Sequence, residues 1–313
     1  MEVVVGPANS TPPTSGSAVT IGAYDGVHRG HRQLIAELRR QADERGLETA
    51  VVTFDRHPAT VVRPESAPLL LTDLDQKLEL LAATGVDRTL IVPFDRQRAD
   101  ESAEEFVLEV LVRALGARLV VVGENFHFGH GRKGNVPMLR DLGTVHGFDV
   151  VGWHLVADAG GAPVSSTRIR GLLAEGDVAG AAELLGRPHE VRGTVVGGDG
   201  RGGPELGMPT ANVALAAGTA LPAPGVYAGW HDRPTGAAHP AVISLGHRPQ
   251  FYGDGGQLLL ETHLLDFSGD LYGEVAKVRF VARLRSQATF DSAAALAAQM
   301  QADAEEAGRA LGV

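Results

Sequence analysis

Cysteine is absent from this 313-residue chain, which excludes disulfide staples, thiolate zinc centres and cysteine nucleophiles. Excess positive charge is missing too. The formal net charge is −10, so the chain lacks the cationic surface that general nucleic-acid binding or adhesion to an anionic membrane requires. No apolar run approaches the roughly 18 residues of a membrane span. The opening MEVVVGPANSTPPTSG has no basic region ahead of a long apolar stretch, so it does not read as a secretory signal. These absences lead to the expectation of a soluble cytoplasmic protein with neither nucleic acid nor membrane as partner, a homo-oligomer being left open. A polyanionic small molecule would have to be held by a local cluster of cations and backbone donors, usually with a divalent metal.

What is present is enough apolar residue, 44%, to bury a sizeable core over a length that suggests two domains. In the first half, apolar runs at Ala18–Ile21, Ala50–Phe54, Thr89–Val92, Leu119–Val122 and Val150–Trp153 read as strands buried on both faces. Helical stripes alternate with them: Leu34, Ile35, Leu38 and Ala42; then Leu74, Leu78 and Leu81; then Phe106, Val110, Leu111 and Leu115. Such alternation predicts a parallel sheet covered by helices, an α/β Rossmann-like domain with ligands beyond the C-terminal ends of its strands. After Gly186-Arg187-Pro188 the helical period disappears. Short strand candidates, Glu190–Val196, Val226–Trp230, Ala241–Leu245, Leu258–Leu265 and Ala276–Val281, are separated by Gly and Pro and predict a small antiparallel barrel or sandwich. A last helix capped by Asp291 or Ser292 carries Leu296, Met300, Ala304, Ala307 and Leu311 on the face expected to pack on it. The expected domains are therefore residues 1–186 and 187–313.

The segment Ala18–His31, AVTIGAYDGVHRGH, carries the strongest local signal. A strand-like run leads through two glycines to His28 and His31, just ahead of an amphipathic helix. Free N–H groups and the positive end of the dipole at a helix N-terminus favour a phosphate, and imidazoles that donate hydrogen bonds strengthen such a site. Composition alone would produce H-x-G-H about 0.06 times in such a chain; the alternative is a Gly-rich loop with two exposed histidines. Gly22, Asp25 and Gly30 on the same turn are candidate nucleotide contacts.

Other segments add to this. Ser166, Thr167 and Arg168 open a helix where hydroxyls and a guanidinium can take phosphate oxygens, or merely cap it. Asn125, between Gly123 and the Phe126/Phe128 pair, suits hydrogen bonding to the edge of a flat ring stacked on aromatics, unless those rings are plain packing. In the second half, GGDGRGGPELGMPTAN is a glycine loop, not a P-loop, whose N–H groups at Gly200, Gly202 and Gly207 can wrap phosphates. It runs into Thr210 and Asn212, hard oxygen donors suited to Mg2+. Glu261 sits in an apolar-looking strand, where desolvation would raise its pKa toward that of a general base; a surface-facing Glu is the competing account.

Taken together and in order, GAYDGVHRGH, FDRHP, VVGENFHFG, VSSTRIR, LGRPHEVRG, GRGGPELGMPTAN, GVYAGW, ETHLLDFSGDLYG and LRSQATFDS resemble the bacterial bifunctional riboflavin kinase/FMN adenylyltransferase (FAD synthetase) family, from about Ala18 to about Gln299. The resemblance implies a nucleotidyltransferase Rossmann-like domain followed by a riboflavin kinase β-barrel, with ATP, riboflavin and FMN as substrates and Mg2+ as cofactor. It implies that His28 and His31 are the adenylyltransferase histidines and that Asn125 lies in the flavin- and nucleotide-contacting loop. Ser166, Thr167 and Arg168 match the phosphate-binding run, Thr210 and Asn212 the kinase metal and phosphate residues, and Glu261 the kinase base. Arg56, Met208, Gln250 and Gln287 depart from the usual pattern; the last two lie in the kinase half and bear on its strength. The rival readings are another nucleotidyltransferase, or a flavin-binding protein that has kept only adenylyl transfer or a regulatory role.

Overall fold

Five apolar runs marked as strands align in parallel in the computed structural model, which describes residues 1–154, 157, 161–197, 209–247 and 258–313. The chain divides into two compact units, Met1–Ser166 and Thr167–Val313. In the first unit the order of elements is β1 (Glu2–Val5), β2 (Ser17–Ile21), α1 (Arg29–Arg45), β3 (Glu48–Phe54), α2 (Ala59–Val62), α3 (Leu74–Ala82), β4 (Arg88–Val92), α4 (Arg96–Asp100), α5 (Ala103–Phe106), β5 (Ala117–Gly123), the short pair β6 (His127–Phe128) and β7 (Gly134–Asn135), α6 (Val136–His146) and β8 (Asp149–Trp153). The main sheet runs β1-β4-β3-β2-β5-β8, parallel throughout.

Both faces of this sheet are covered, so its central strands are continuously buried: every residue of β2 is buried, as are Thr49–Thr53 of β3. The chain leaves β2 toward β3 and β4 on one side and returns to β5 and β8 on the other. That reversal of direction opens a crevice at the C-terminal end of β2, where ligands of open α/β sheets bind. The stripe on α1 faces inward as expected, with Ile35, Leu38 and Ala42 buried. On α3 only Leu81 of the predicted stripe is fully buried; Gln76 and Lys77 are buried beside it. The third stripe is inward-facing, but the helix continues past α5 in wide i→i+5 turns over Val107–Ala114. Strand β1 went unanticipated: at the sheet edge only Val4 is buried, so it leaves little periodic signal.

The second unit begins with α7 (Ser166–Glu175) and α8 (Val178–Leu185), followed by β9 (His189–Val196), β10 (Ala211–Leu215), β11 (Gly225–Asp232), β12 (Ala238–His247), β13 (Leu258–Leu264), β14 (Val275–Arg285) and α9 (Ala293–Leu311). The strands close as an antiparallel barrel, β10-β13-β12-β11-β14-β9, so closure removes the exposed edges a sandwich would keep. Gly229 makes one close approach possible, because a Cβ there would stand 2.1 Å from the Arg279 carbonyl oxygen. The contacts divide the chain at Ser166/Thr167, twenty residues before the change in sequence pattern, because α8 packs on β9 and β14. Helix α9 is capped by Ser292, whose hydroxyl accepts from the Ala295 N–H at 3.2 Å.

Within the apolar face of α9, Asp303 is 2% exposed. Its two oxygens take Arg285 Nε at 2.8 Å and Nη2 at 2.7 Å. Removing one partner of such a pair strands the other. Asp303→Ala is expected to cost the second unit about 2–3 kcal/mol, discounted for the partly exposed arginine. The double variant Arg285→Met/Asp303→Leu should recover most of it in denaturant titrations; equal loss in both would mean the pair itself is net stabilising.

Candidate active sites

The turn from β2 into α1 is built around one hydrogen bond. His28 is the N-cap of α1, and its Nδ1 accepts the main-chain N–H of His31 at 3.3 Å. An imidazole that accepts at Nδ1 carries its proton on Nε2, so the second nitrogen of neutral His28 is a donor. The His31 ring stacks on that of His28, centroids 3.6 Å apart, and meets the edge of Tyr24 at 5.0 Å. Its Nδ1 is sealed from solvent with no hydrogen-bond partner. Burial, and then the neighbouring His28, hold the His31 pKa well below the usual 6.5. Gly30 is needed for this stacking: a Cβ would press on the His28 ring at 3.3 Å.

Asp25, expected to touch nucleotide, braces the turn. Its buried carboxylate accepts from Leu71 N at 2.9 Å and from Thr72 N at 3.1 Å, which fixes the turn to the segment ahead of α3. On the other side the Ser166 hydroxyl donates to the Asp25 carbonyl at 2.9 Å. Thr167 and Arg168 stand on the first turn of α7, where the second unit begins.

Beside the turn lies a cavity of about 690 Å³ lined by Gly22 and Ala23 after β2, Phe54 and His57 after β3, Phe94 after β4, and Asn125 to Arg132 after β5. Phe126 and Phe128 are stacked at 5.4 Å, and Phe54 meets Phe94 edge-on at 5.3 Å. Phe128 also belongs to the core, so packing and lining are one role here. Asp55 in the FDRHP loop accepts from Phe94 N at 2.8 Å and so holds that ring's backbone. Phe94 was missed from the sequence: a lone aromatic after Pro93 gives no periodic signal.

In the barrel, the register sets Asn212 of β10 directly across from Glu261 of β13, and Ser244 of β12 across from Glu261 on its other side. Directly opposed residues place their side chains together on one face. The alternation corrects the expectation of an apolar setting for Glu261. Leu260, Thr262 and Leu264 point into the barrel, whereas Glu261 and His263 lie half-buried on the outer face. His263 Nδ1 meets the Pro209 carbonyl at 2.9 Å and anchors the approach to Thr210 and Asn212; its i, i+2 relation to Glu261 was the signal for it. Gln287 donates its amide to the carbonyl of Leu245 at 3.1 Å and to the Ser244 hydroxyl at 3.2 Å, a bracing contact that a carboxylate could not make to the carbonyl. The candidate glycines Gly200, Gly202 and Gly207, together with Met208 and Gln250, lie outside the described residues.

The neutral His31 has a consequence for stability. Its folded pKa lies below the unfolded value of 6.5, so protons bind preferentially to the unfolded chain. Stability of the first unit should fall as pH drops below about 6.5, by up to about 1.4 kcal/mol per pH unit from this residue. Chemical denaturation followed at Trp153 in a Trp230→Phe background should show that slope, and His31→Asn should remove it.

A family model described as FAD synthetase matches residues 10–168, and one described as riboflavin kinase matches residues 185–311. A bifunctional riboflavin kinase/FMN adenylyltransferase of Escherichia coli K12 is 39% identical over 298 residues, covering 94% of this chain and 92% of that protein. One from Pseudomonas fluorescens is 40% identical over 303 residues, covering 97% and 96%. A solved structure from Streptococcus pneumoniae, named a macrolide-efflux protein, superposes with a TM-score of 0.86 at 31% identity and covers 99% of each chain. Among the described residues of this chain, no helix is long and apolar enough to cross a membrane.

Proposed function

The chain belongs to the bifunctional riboflavin kinase/FMN adenylyltransferase family, and from that membership and its two sites we propose that it makes FAD in the cytoplasm by two ATP-dependent steps. Residues 187–313 phosphorylate riboflavin to FMN, and residues 1–186 join FMN to AMP with release of pyrophosphate. The observation that carries the reading is the register pairing of Asn212 with Glu261, which brings a hard oxygen donor and a carboxylate to one patch of the barrel.

In the kinase step, the oxygen of the ribityl 5′-hydroxyl bonds to the γ-phosphorus of ATP, ADP departs, and the Glu261 carboxylate takes the hydroxyl proton. Thr210 and Asn212 offer two neutral oxygens two residues apart on the edge of the same patch. That donor set fits Mg2+, which retains several waters and takes phosphate oxygens as its remaining ligands. Bound there, Mg2+ supplies neutralisation of the charge that develops on the phosphates.

In the adenylyl step, a phosphate oxygen of FMN attacks the α-phosphorus of a second ATP and pyrophosphate leaves, so no protein nucleophile is needed. The Nε2–H of His28 donates to the oxygens around the α-phosphorus, and His31 supports that ring from beneath. Gly22 and Gly30 let the backbone come close to the nucleotide. Ser166, Thr167 and Arg168 take the departing pyrophosphate. The cavity of about 690 Å³ receives the flavin, with its ring against Phe126 and Phe128 and its edge toward Asn125.

The test is to incubate purified protein with riboflavin, ATP and Mg2+ and to separate riboflavin, FMN and FAD. His28→Ala should abolish FAD formation from FMN and leave FMN formation from riboflavin unchanged. Equal loss of both in a folded variant would count against two separate sites.

Glu261→Gln keeps the shape of the side chain and removes its capacity to take a proton. The kinase rate should fall by about 10²–10⁴, the usual contribution of a positioned base. Adenylyl transfer supplied with FMN should be untouched. A kinase rate within about twofold of wild type would move the base elsewhere.

A further inference from the structure

The β2–α1 turn is under backbone strain. Tyr24 (φ 49°) and Val27 (φ 37°) both occupy the left-handed region that favours glycine. Each such residue costs on the order of 1–3 kcal/mol and persists only where its surroundings over-determine it. Besides Ser166 on Asp25 and Thr20 on the Tyr24 hydroxyl, the surroundings here are one segment, Leu71–Lys77. Besides the two N–H groups that Asp25 accepts, the Thr72 hydroxyl oxygen accepts from Gly26 N at 3.1 Å. Lys77, only 7% exposed, sends Nζ to the carbonyl oxygens of Phe54 at 2.8 Å and Ala23 at 3.4 Å. Phe54 is the last residue of β3 and Ala23 stands two residues past β2, and both line the cavity.

Hydrogen bonds to two carbonyls do not require a charge; a neutral amide could make them without the desolvation cost of a buried ammonium. A fixed positive charge behind a turn that receives phosphates does have a use. We propose that Lys77 is a positioning residue for adenylyl transfer, holding the Ala23 and Phe54 carbonyls so that the strained turn keeps its shape and lending its charge to the phosphates bound in front of it. The proposal rests on the assignment of this turn to the adenylyl site.

Burial brings the Lys77 ammonium down to about 8, against the opposing pull of Asp25 on the turn and Asp55 after β3. Other titratable groups on the elements around it include Tyr24 and His28 on the turn, His31 on α1, Arg56 and His57 after β3, Asp75 and Glu79 on its own helix, and Asp73, which caps that helix by accepting from Gln76 N. Burial raises the Tyr24 phenol and keeps His31 neutral, so neither changes charge near that pH. Phosphates bound nearby favour the charged amine, so nucleotide binding should weaken as pH rises through about 8.

The experiment measures KM for ATP in the adenylyl step at saturating FMN, from about pH 7 to 9.5, on the full chain. The kinase step of the same protein controls for ionisation of ATP itself. In wild type the adenylyl KM should rise at least about threefold over that range while the kinase KM stays flat. Lys77→Met should raise the adenylyl KM about tenfold at pH 7 and abolish its pH dependence. A Lys77→Met protein that loses thermal stability but keeps the wild-type KM and pH profile would make Lys77 a packing residue and overturn the proposal. A flat wild-type profile would overturn it without any variant, should Lys77→Met fail to fold. Retention of adenylyl transfer in His28→Ala would instead sink the assignment of the turn.

Discussion

A single hydrogen bond, from the main-chain N–H of His31 to Nδ1 of His28, decides what the first unit can do. It satisfies a donor at the head of α1 that would otherwise need water. It also fixes which nitrogen of His28 holds the proton, and it brings the second imidazole under the first. Move the cap and the helix start, the tautomer and the stacked pair all change together. The parallel sheet delivers the chain to this point, with β2 at the place where strand order reverses.

The net charge of −10 sets the second constraint, since ATP, the substrate proposed for both steps, is a polyanion. The summed charge does not attract such a ligand from a distance, and binding must come from groups close at hand: helix N–H groups, a neutral imidazole, an amide, a hydroxyl and local cations such as Arg168 and Lys77. Such donors work only when held in place. That accounts for the amount of structure devoted to holding them, with Asp25 engaging two main-chain N–H groups, Asp55 gripping the Phe94 backbone and His263 gripping Pro209.

Much of this was legible in the sequence, because apolar runs buried on both faces and helical stripes report directly on burial. The parallel strands and α1 followed from that signal, and five of the six barrel strands from short strand-like runs set off by Gly and Pro. Strand β10 did not, since its five residues follow a glycine loop and a proline that read as one irregular stretch. Burial of Gln76 and Lys77 escaped because pattern reading assigns polar residues to solvent. The setting of Glu261 stayed open for the opposite reason: its neighbours Leu260 and Leu264 are apolar but face inward, and only Thr262 between them hinted at the alternation the structure shows. The two histidines were visible because the turn and the helix start are both local features. The cavity rings Phe54, Phe94 and Phe106 come from three separate connections, and only the fold gathers them.

The register of the closed barrel gives the patch proposed for the kinase step a parity. Asn212 and Glu261 share a face because each sits an even number of residues from its neighbours on that face, while Val213 and Leu260 take the other. A one-residue insertion in β10 would turn Asn212 inward and expose an aliphatic residue in its place, whereas a two-residue insertion would preserve the face. The site is thus protected against substitution in most of its strand and vulnerable to a change of count. What must be inherited intact along β10 and β13 is the frame as much as the residues within it.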